Sequence, residues 1–213
     1  GLNQRTGVDG VASLLNLHLL TGNLGEPGRG HLRVAGQSNA PSEVYLGYNS
    51  QLLPFRLKIA NADHREKIAM IWRIPVEYID PVPGIPISHY VREPIGLLLV
   101  QGTDFANNFV DLFNWRWKLS RGVKVIAVDS FMNESIERFA TVVIPARSHA
   151  EQYGSYMKGD RKVQILNPLW PAPPDTLSDT EFILRLQKRI AELAWEEDLA
   201  GDPPLDPILL EGH

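Results

Sequence analysis

The chain has 213 residues, 44% of them hydrophobic, enough for one large domain with a real core. A formal charge of −4 leaves no electrostatic footprint for nucleic acid, and no apolar run reaches the roughly eighteen residues of a membrane span, so neither nucleic acid nor direct membrane insertion is expected. With no cysteine there is no disulfide, thiolate-bound zinc or iron–sulfur cluster within these residues. The six histidines (His18, His31, His64, His89, His149, His213) lack the spacing of a helical metal pair and read as ordinary surface or core residues.

The chain opens at Gly1 with no basic and apolar leader, which leads us to expect a piece of something longer. From Asp9 to Leu20, the rhythm of Val11, Leu14, Leu15, His18 and Leu19 predicts a helix with one buried face, ended by Gly22 at the left-handed C′ position. Five glycines and Pro27 between Leu20 and Asn39 break any period, and residues 40–55 read as a continuation of that irregular loop. Next comes "ADHREKIAMIWRI", a short helix with Asp63 as N-cap, Ile68, Ile71 and Trp72 inward, and Pro75 closing it. The prolines of "DPVPGIPISHYVREP" predict an extended connection.

Three continuous apolar runs, Gly96 to Gly102, Val123 to Ser130 and Ala140 to Ala146, have the pattern of strands buried on both faces of a parallel sheet. Between the first two, Phe109, Leu112, Phe113, Arg116 and Trp117 form a helical stripe ended by Gly122; "NESIERF" is a shorter helix before the third. The resulting β-α-β-α-β order predicts right-handed crossovers and ligand-binding loops beginning at Gly102, Asp129 and Pro145, at the carboxyl ends of the strands. A last amphipathic helix, "DTEFILRLQKRIAEL", has Asp179 as its cap and Phe182, Ile183, Leu186, Ile190 and Leu193 on one side; beyond Trp195 the chain reads as tail or linker.

In "VQGTDFANN", Gly102 lets the backbone turn off its strand, Thr103 and Asp104 offer oxygens, and a following helix N-terminus would favour an anion such as a nucleotide diphosphate. The G-x-G-x-x-G fingerprint is missing, and a simple turn with Asp104 as N-cap explains the same residues. Asp129 stands where a carboxylate accepts from a ribose diol or from guanine N1 and N2, or else caps the "NESIERF" helix. After the third strand, Glu151, Gln152, Lys158, Asp160, Arg161 and Lys162 cluster around Gly154 and Gly159, either as a functional loop or as a solvated salt-bridged face. No Ser-His-Asp, Cys-His or dominant carboxylate pair emerges, so the residues suit holding a ligand more than transforming it.

"GLNQRTGVDGVASLLNLHLLTGNLGEPGRG" and "GQSN", then "LLLVQGTD", "VIAVDSF", "ATVVIPARSHAEQYGSYMKGDRKVQ" and "LSDTEFI" follow one another in a telling order. From Gly1 to about Leu193 the chain resembles molybdopterin oxidoreductases of the bis-molybdopterin guanine dinucleotide class. That family includes formate dehydrogenases, periplasmic nitrate reductases and the related large subunit of respiratory complex I. The resemblance implies an α/β fold, three-layer and mostly parallel, a Rossmann-like pterin-dinucleotide-binding domain over residues 1–195 with an irregular insertion at about 23–95, and a tail over 196–213. It further implies a central part of a catalytic subunit that binds molybdopterin guanine dinucleotide with molybdenum or tungsten. The complete enzyme would pass two electrons between a small-molecule substrate and an iron–sulfur electron-transfer domain or subunit. The remainder of the catalytic subunit would be its partner, with a 4Fe-4S cluster and the metal-ligating residue outside these residues; the compartment, cytoplasmic or periplasmic, is not fixed.

Carried over by motif, Arg33 and Gln37 would line the pterin, Thr103 and Asp104 would meet the nucleotide end, and Val128 and Asp129 would hold the guanosine. Gln152 takes a cofactor-contacting position often filled by lysine, and Asp179 matches an acidic guanine contact. Formate dehydrogenases of the family typically read "RGQNN" where this chain reads "AGQSN"; Ala35 cannot pair with a formate carboxylate, which argues against formate and leaves Arg33 as the candidate for substrate contact. An alternative is a non-catalytic relative of the complex I type, a structural and electron-transfer element without pterin, against which Gln37, Asp104 and Asp129 weigh. A free-standing nucleotide-binding module would need the Gly-rich phosphate loop that is missing.

Overall fold

A computed structural model describes residues 7–31, 39–109, 111–160 and 162–196. By internal contacts the chain forms two units, Gly1–Ser42 with Tyr156–Gln164, and Glu43–Ser155 with Ile165–His213.

In the first unit, α1 (Gly7–Leu20) ends as its sequence predicts. Gly22 takes φ 64°, its N–H donates to the Leu19 carbonyl at 3.2 Å, and the Asn23 N–H reaches back to the His18 carbonyl at 2.8 Å. This is the paired Schellman arrangement, which satisfies carbonyls that the last turn leaves free. The buried face predicted for α1 is not found: Leu14, Leu15, Leu17 and Leu19 are exposed, and Gly7 is the one buried residue of the helix. Periodicity reports which side is apolar, and among the described residues this unit supplies no buried hydrophobic layer to cover it.

Residues 40–55, predicted to be irregular, contain α2 (Ala40–Leu46) and a two-residue strand β1 (Leu52–Leu53). Pro41 fits the first turn of α2, where its missing N–H is no loss. Gly47 follows at φ 80°, so close to the chain that a Cβ would stand 2.6 Å from the Leu53 carbonyl carbon. β1 pairs antiparallel with β2 (Leu57–Lys58), against which α3 (Ala62–Trp72) packs. The N-cap of α3 is Asn61, not Asp63: its Oδ1 accepts from the His64 N–H at 3.2 Å. Leu53, Ile68, Ala69 and Ile79 form a small core, while Ile71 and Trp72 point out because a layer of two-residue strands covers only part of the helix. Residues 80–94 form the expected irregular connection, with one tight turn at Ile87–His89.

The β-α-β-α-β order is as predicted: β3 (Leu97–Gln101), α4 (Leu112–Leu119), β4 (Lys124–Asp129), α5 (Glu134–Phe139) and β5 (Val142–Pro145). The strands are parallel in the order β3-β4-β5, with Leu99 opposite Ile126 and Ile126 opposite Val142, and helices flank the sheet. Only the central strand is largely buried, through Val125, Ala127 and Val128; Leu97 of β3 and Val142 of β5 are exposed, as befits edge strands. The α4 stripe also differs from prediction. The helix starts only after Asp111, so Trp115 and Leu119 turn inward while Phe113 and Trp117 stay out. Phe109, ahead of the helix, stacks on Trp115 at 4.4 Å, and the Trp115 Nε1–H donates to the Phe105 carbonyl at 2.8 Å.

After β5, the segment read as a polar loop holds a two-stranded sheet of β6 (Gly154–Met157) and β7 (Val163–Leu166). The last helix, α6 (Asp179–Glu196), is opened by Ser178 rather than Asp179. The Ser178 Oγ accepts from the Glu181 N–H at 3.1 Å, and Glu181 Oε2 accepts from the Ser178 N–H at 2.9 Å, a reciprocal capping box. Phe182 is buried; Ile183, Ile190 and Leu193 of the predicted stripe are exposed. The predicted tail beyond α6 lies outside the described residues.

Candidate functional site

The carboxyl ends of β3 and β4 bring the second unit's candidate residues together. Gln101 ends β3 opposite Val128, and Asp129 ends β4 one residue further on. The chain leaves β3 at Gly102 with φ 58°, a left-handed turn glycine adopts at little cost, and the Gly102 N–H donates to the Val128 carbonyl at 2.9 Å. Thr103 is exposed, whereas the Val128 side chain is only 1% exposed, so Val128 presents no side chain to a ligand.

Asp104 is spent within the fold. Its carboxylate accepts from the Ser135 hydroxyl and from the Asn107 Nδ2 at 2.8 and 3.0 Å; the Ser135 Oγ in turn accepts from the Ala106 N–H at 2.9 Å. Arg116 closes the group by donating to the Ala106 carbonyl at 3.2 Å and to the Asn107 side chain. The Ser135 hydroxyl first, then the Asn107 amide, hold the Asp104 carboxyl below its ordinary range. Asp104 is not the cap of α4, which begins at Leu112, so the helix N-terminus expected beside it is not there.

Asp129 is half-buried. Its Oδ1 accepts from the Phe131 N–H at 3.1 Å in a local turn, and Asn133 Nδ2 lies 3.5 Å from its Oδ2. Asn133, not Asp129, caps α5, accepting from the Ile136 N–H at 3.0 Å. The capping alternative for Asp129 therefore fails, and its oxygens keep acceptor capacity beyond these two contacts.

Asp179, the first residue of α6, is brought to the end of β3. Its Oδ1 accepts from Gln101 Nε2 at 3.0 Å and its Oδ2 from Gln152 Nε2 at 3.1 Å; its own N–H donates to Gln152 Oε1 at 3.2 Å. Asp179 and Gln152 thus meet across 27 residues of chain in a two-bond ring. The segment around Gln152 is tied in place. Arg147 pairs with Glu181 at 2.9 Å, and its N–H donates to the Leu177 carbonyl at 2.8 Å. The Ser148 N–H donates to Glu151 Oε2 at 2.8 Å and holds that carboxyl below its ordinary range; the Ser178 N–H, helped by Arg147, does the same for Glu181.

The sequence singled out Asp129, Gln152 and Asp179 but not Gln101, whose signal is slight: a polar residue closing an apolar strand just before a glycine. Arg33 and Gln37, like Ala35, lie outside the described residues.

No family model matches the chain. Among curated proteins it is 29% identical over 196 residues to a nitrate reductase of Synechocystis sp., covering 89% of the chain. It is 28% identical over 214 residues to a nitrate reductase of Symbiobacterium thermophilum, covering 92%, and 28% identical over 190 residues to the F420-dependent formate dehydrogenase 1 subunit alpha of Methanococcus maripaludis, covering 88%. The chain spans only 27–28% of the length of these relatives. All three are oxidoreductases by name, and the chain is similar to each of them along most of its own length. The site's polar character is informative: two carboxylates with remaining acceptor capacity, framed by neutral amides, fit a ligand edge that donates hydrogen bonds.

Proposed function

We propose that this chain is part of the catalytic subunit of a molybdenum or tungsten oxidoreductase and that it binds the guanine end of a molybdopterin guanine dinucleotide. The observation that carries this reading is the placement of two carboxylates at the carboxyl ends of neighbouring strands: Asp179 bonded to Gln101, which ends β3, and Asp129, which ends β4 one residue beyond the strand partner of Gln101. A carboxylate accepts the adjacent N1–H and N2–H of guanine in a bidentate pair, and ligands of parallel sheets bind outside the carboxyl ends of the strands. Thr103 supplies an exposed hydroxyl at the turn after β3, where the nucleotide's polar linkage would pass. Arg33 and Gln37 are proposed to line the pterin, on the motif alone. Residues 1–195 would form the cofactor-binding α/β portion and 196–213 its connection onward.

When bound, the metal would supply the two-electron redox chemistry, with an iron–sulfur domain or subunit as the proposed partner for electron transfer. This chain's residues bind and orient: Asp129 and Asp179 fix the base, and the Asp104–Ser135 group holds the turn that starts at Gly102. The substrate is a small molecule, and Ala35 in "AGQSN" weighs against formate. The test is metal and pterin analysis of the intact protein, with near-stoichiometric molybdenum or tungsten and acid-released GMP expected. Folded protein from a host making the cofactor that contains neither metal nor GMP would overturn the reading.

A further inference from the structure

We infer that Gln101 is a positioning residue that sets base specificity by fixing the Asp179 carboxylate; this rests on the proposed guanine site. Three facts converge on it. Gln101 terminates β3, so its backbone is held by the ladder to β4 while its side chain reaches 78 residues along the chain to Asp179 Oδ1 at 3.0 Å. Gln152 holds the other oxygen, Oδ2, at 3.1 Å, and is itself held by the Asp179 N–H at 3.2 Å. Neither partner is charged, and the structure shows no ion pair on Asp179 among the described residues.

The chemistry of such a clamp is specific. Each amide occupies one acceptor position on one oxygen, which restrains rotation of the carboxylate and leaves both oxygens with further acceptor capacity. Because the amides are neutral, the full negative charge stays available. A lysine or arginine in place of Gln101 would offset it. A fixed, anionic pair of acceptors suits an edge with two adjacent donors, as in guanine, and disfavours adenine, whose N1 is an acceptor. Hypoxanthine, which keeps N1–H but lacks the exocyclic amine, would leave one oxygen unmatched.

The experiment compares GDP, IDP and ADP binding to the intact protein prepared free of cofactor, by calorimetry, for wild type, Gln101→Met and Gln101→Lys. Methionine keeps the length and volume of the side chain without its donor; lysine keeps a donor and adds charge. Wild type should prefer GDP over IDP by about tenfold, the ordinary worth of a hydrogen bond to a charged group, and ADP should bind weakest. Gln101→Met should lose most of the GDP preference, and Gln101→Lys should lower GDP affinity relative to IDP. Unchanged thermal unfolding of both variants would show that folding is intact; if Gln101→Met unfolds, Gln101→Lys carries the comparison. An undiminished GDP preference in a folded variant overturns the role of Gln101 and leaves the guanine site standing. Wild type that binds GDP no better than ADP overturns the guanine site and this inference with it.

Discussion

Two carboxylates of the second unit, both held by uncharged donors, have opposite fates. Asp104 is enclosed by Ser135, Asn107 and Arg116, three groups that also bond one another or the adjacent backbone, and it pins the turn after β3 onto α5. Asp179 takes one amide on each oxygen and remains exposed. The first arrangement uses a charge to build the fold; the second prepares a charge for something outside it. What separates them is the surroundings: Ser135 is 1% exposed and Trp115 packs below the same turn, whereas nothing buried lies among the partners of Asp179.

The largest expected effect is on the enclosed side. Trp115→Ala removes a buried indole and the bond to the Phe105 carbonyl, and should cost about 3–5 kcal/mol in urea denaturation. Ser135→Ala strands the Ala106 N–H and takes a donor from Asp104, with an expected loss of about 1–3 kcal/mol by the same measurement. A loss confined to a few tenths would erase the contrast between the two sites.

The pH dependence follows from the depressed carboxyls of Asp104, Glu151 and Glu181. In the acid range the unfolded chain binds protons that the folded chain refuses, so stability is full above the unfolded carboxyl pKa and falls as pH drops through the folded ones. Denaturation midpoints should therefore decline below the ordinary carboxylate range, with a shallower decline in Asp104→Asn. An equal slope in both proteins would remove Asp104 from the account. Smallest of all, Asp179→Asn should shift stability by no more than about 0.5 kcal/mol, since its bonds are exposed and water replaces them.

Much of this fold is legible in the sequence. The three strands announce themselves because parallel strands are apolar throughout, and the α1 terminus does because Gly22 has one clear use. Helix faces were harder. The stripe through Phe113 and Trp117 is real as a pattern, but α4 begins only at Leu112, and that shift hands burial to Trp115 and Leu119. The caps lie one or two residues from where the sequence pattern puts them, Asn61 for Asp63 and Ser178 for Asp179, because adjacent polar residues compete for the same role. At the site, Asp129, Gln152 and Asp179 could be singled out by motif, yet no sequence rule joins Gln101 to a residue 78 positions away. That link exists only once the fold has brought the end of β3 to the start of α6.

The central place of β4 has a consequence for how the molecule opens. Its backbone is hydrogen-bonded on both sides, to β3 through the register of Leu99 with Ile126 and to β5 through that of Ile126 with Val142. Neither edge can fray without the other holding on, so amide protons of β4 should exchange with solvent only when the whole unit unfolds. Those of β3 and β5 should leave earlier, and those of α1, with no buried side chains to restrain it, earliest of all.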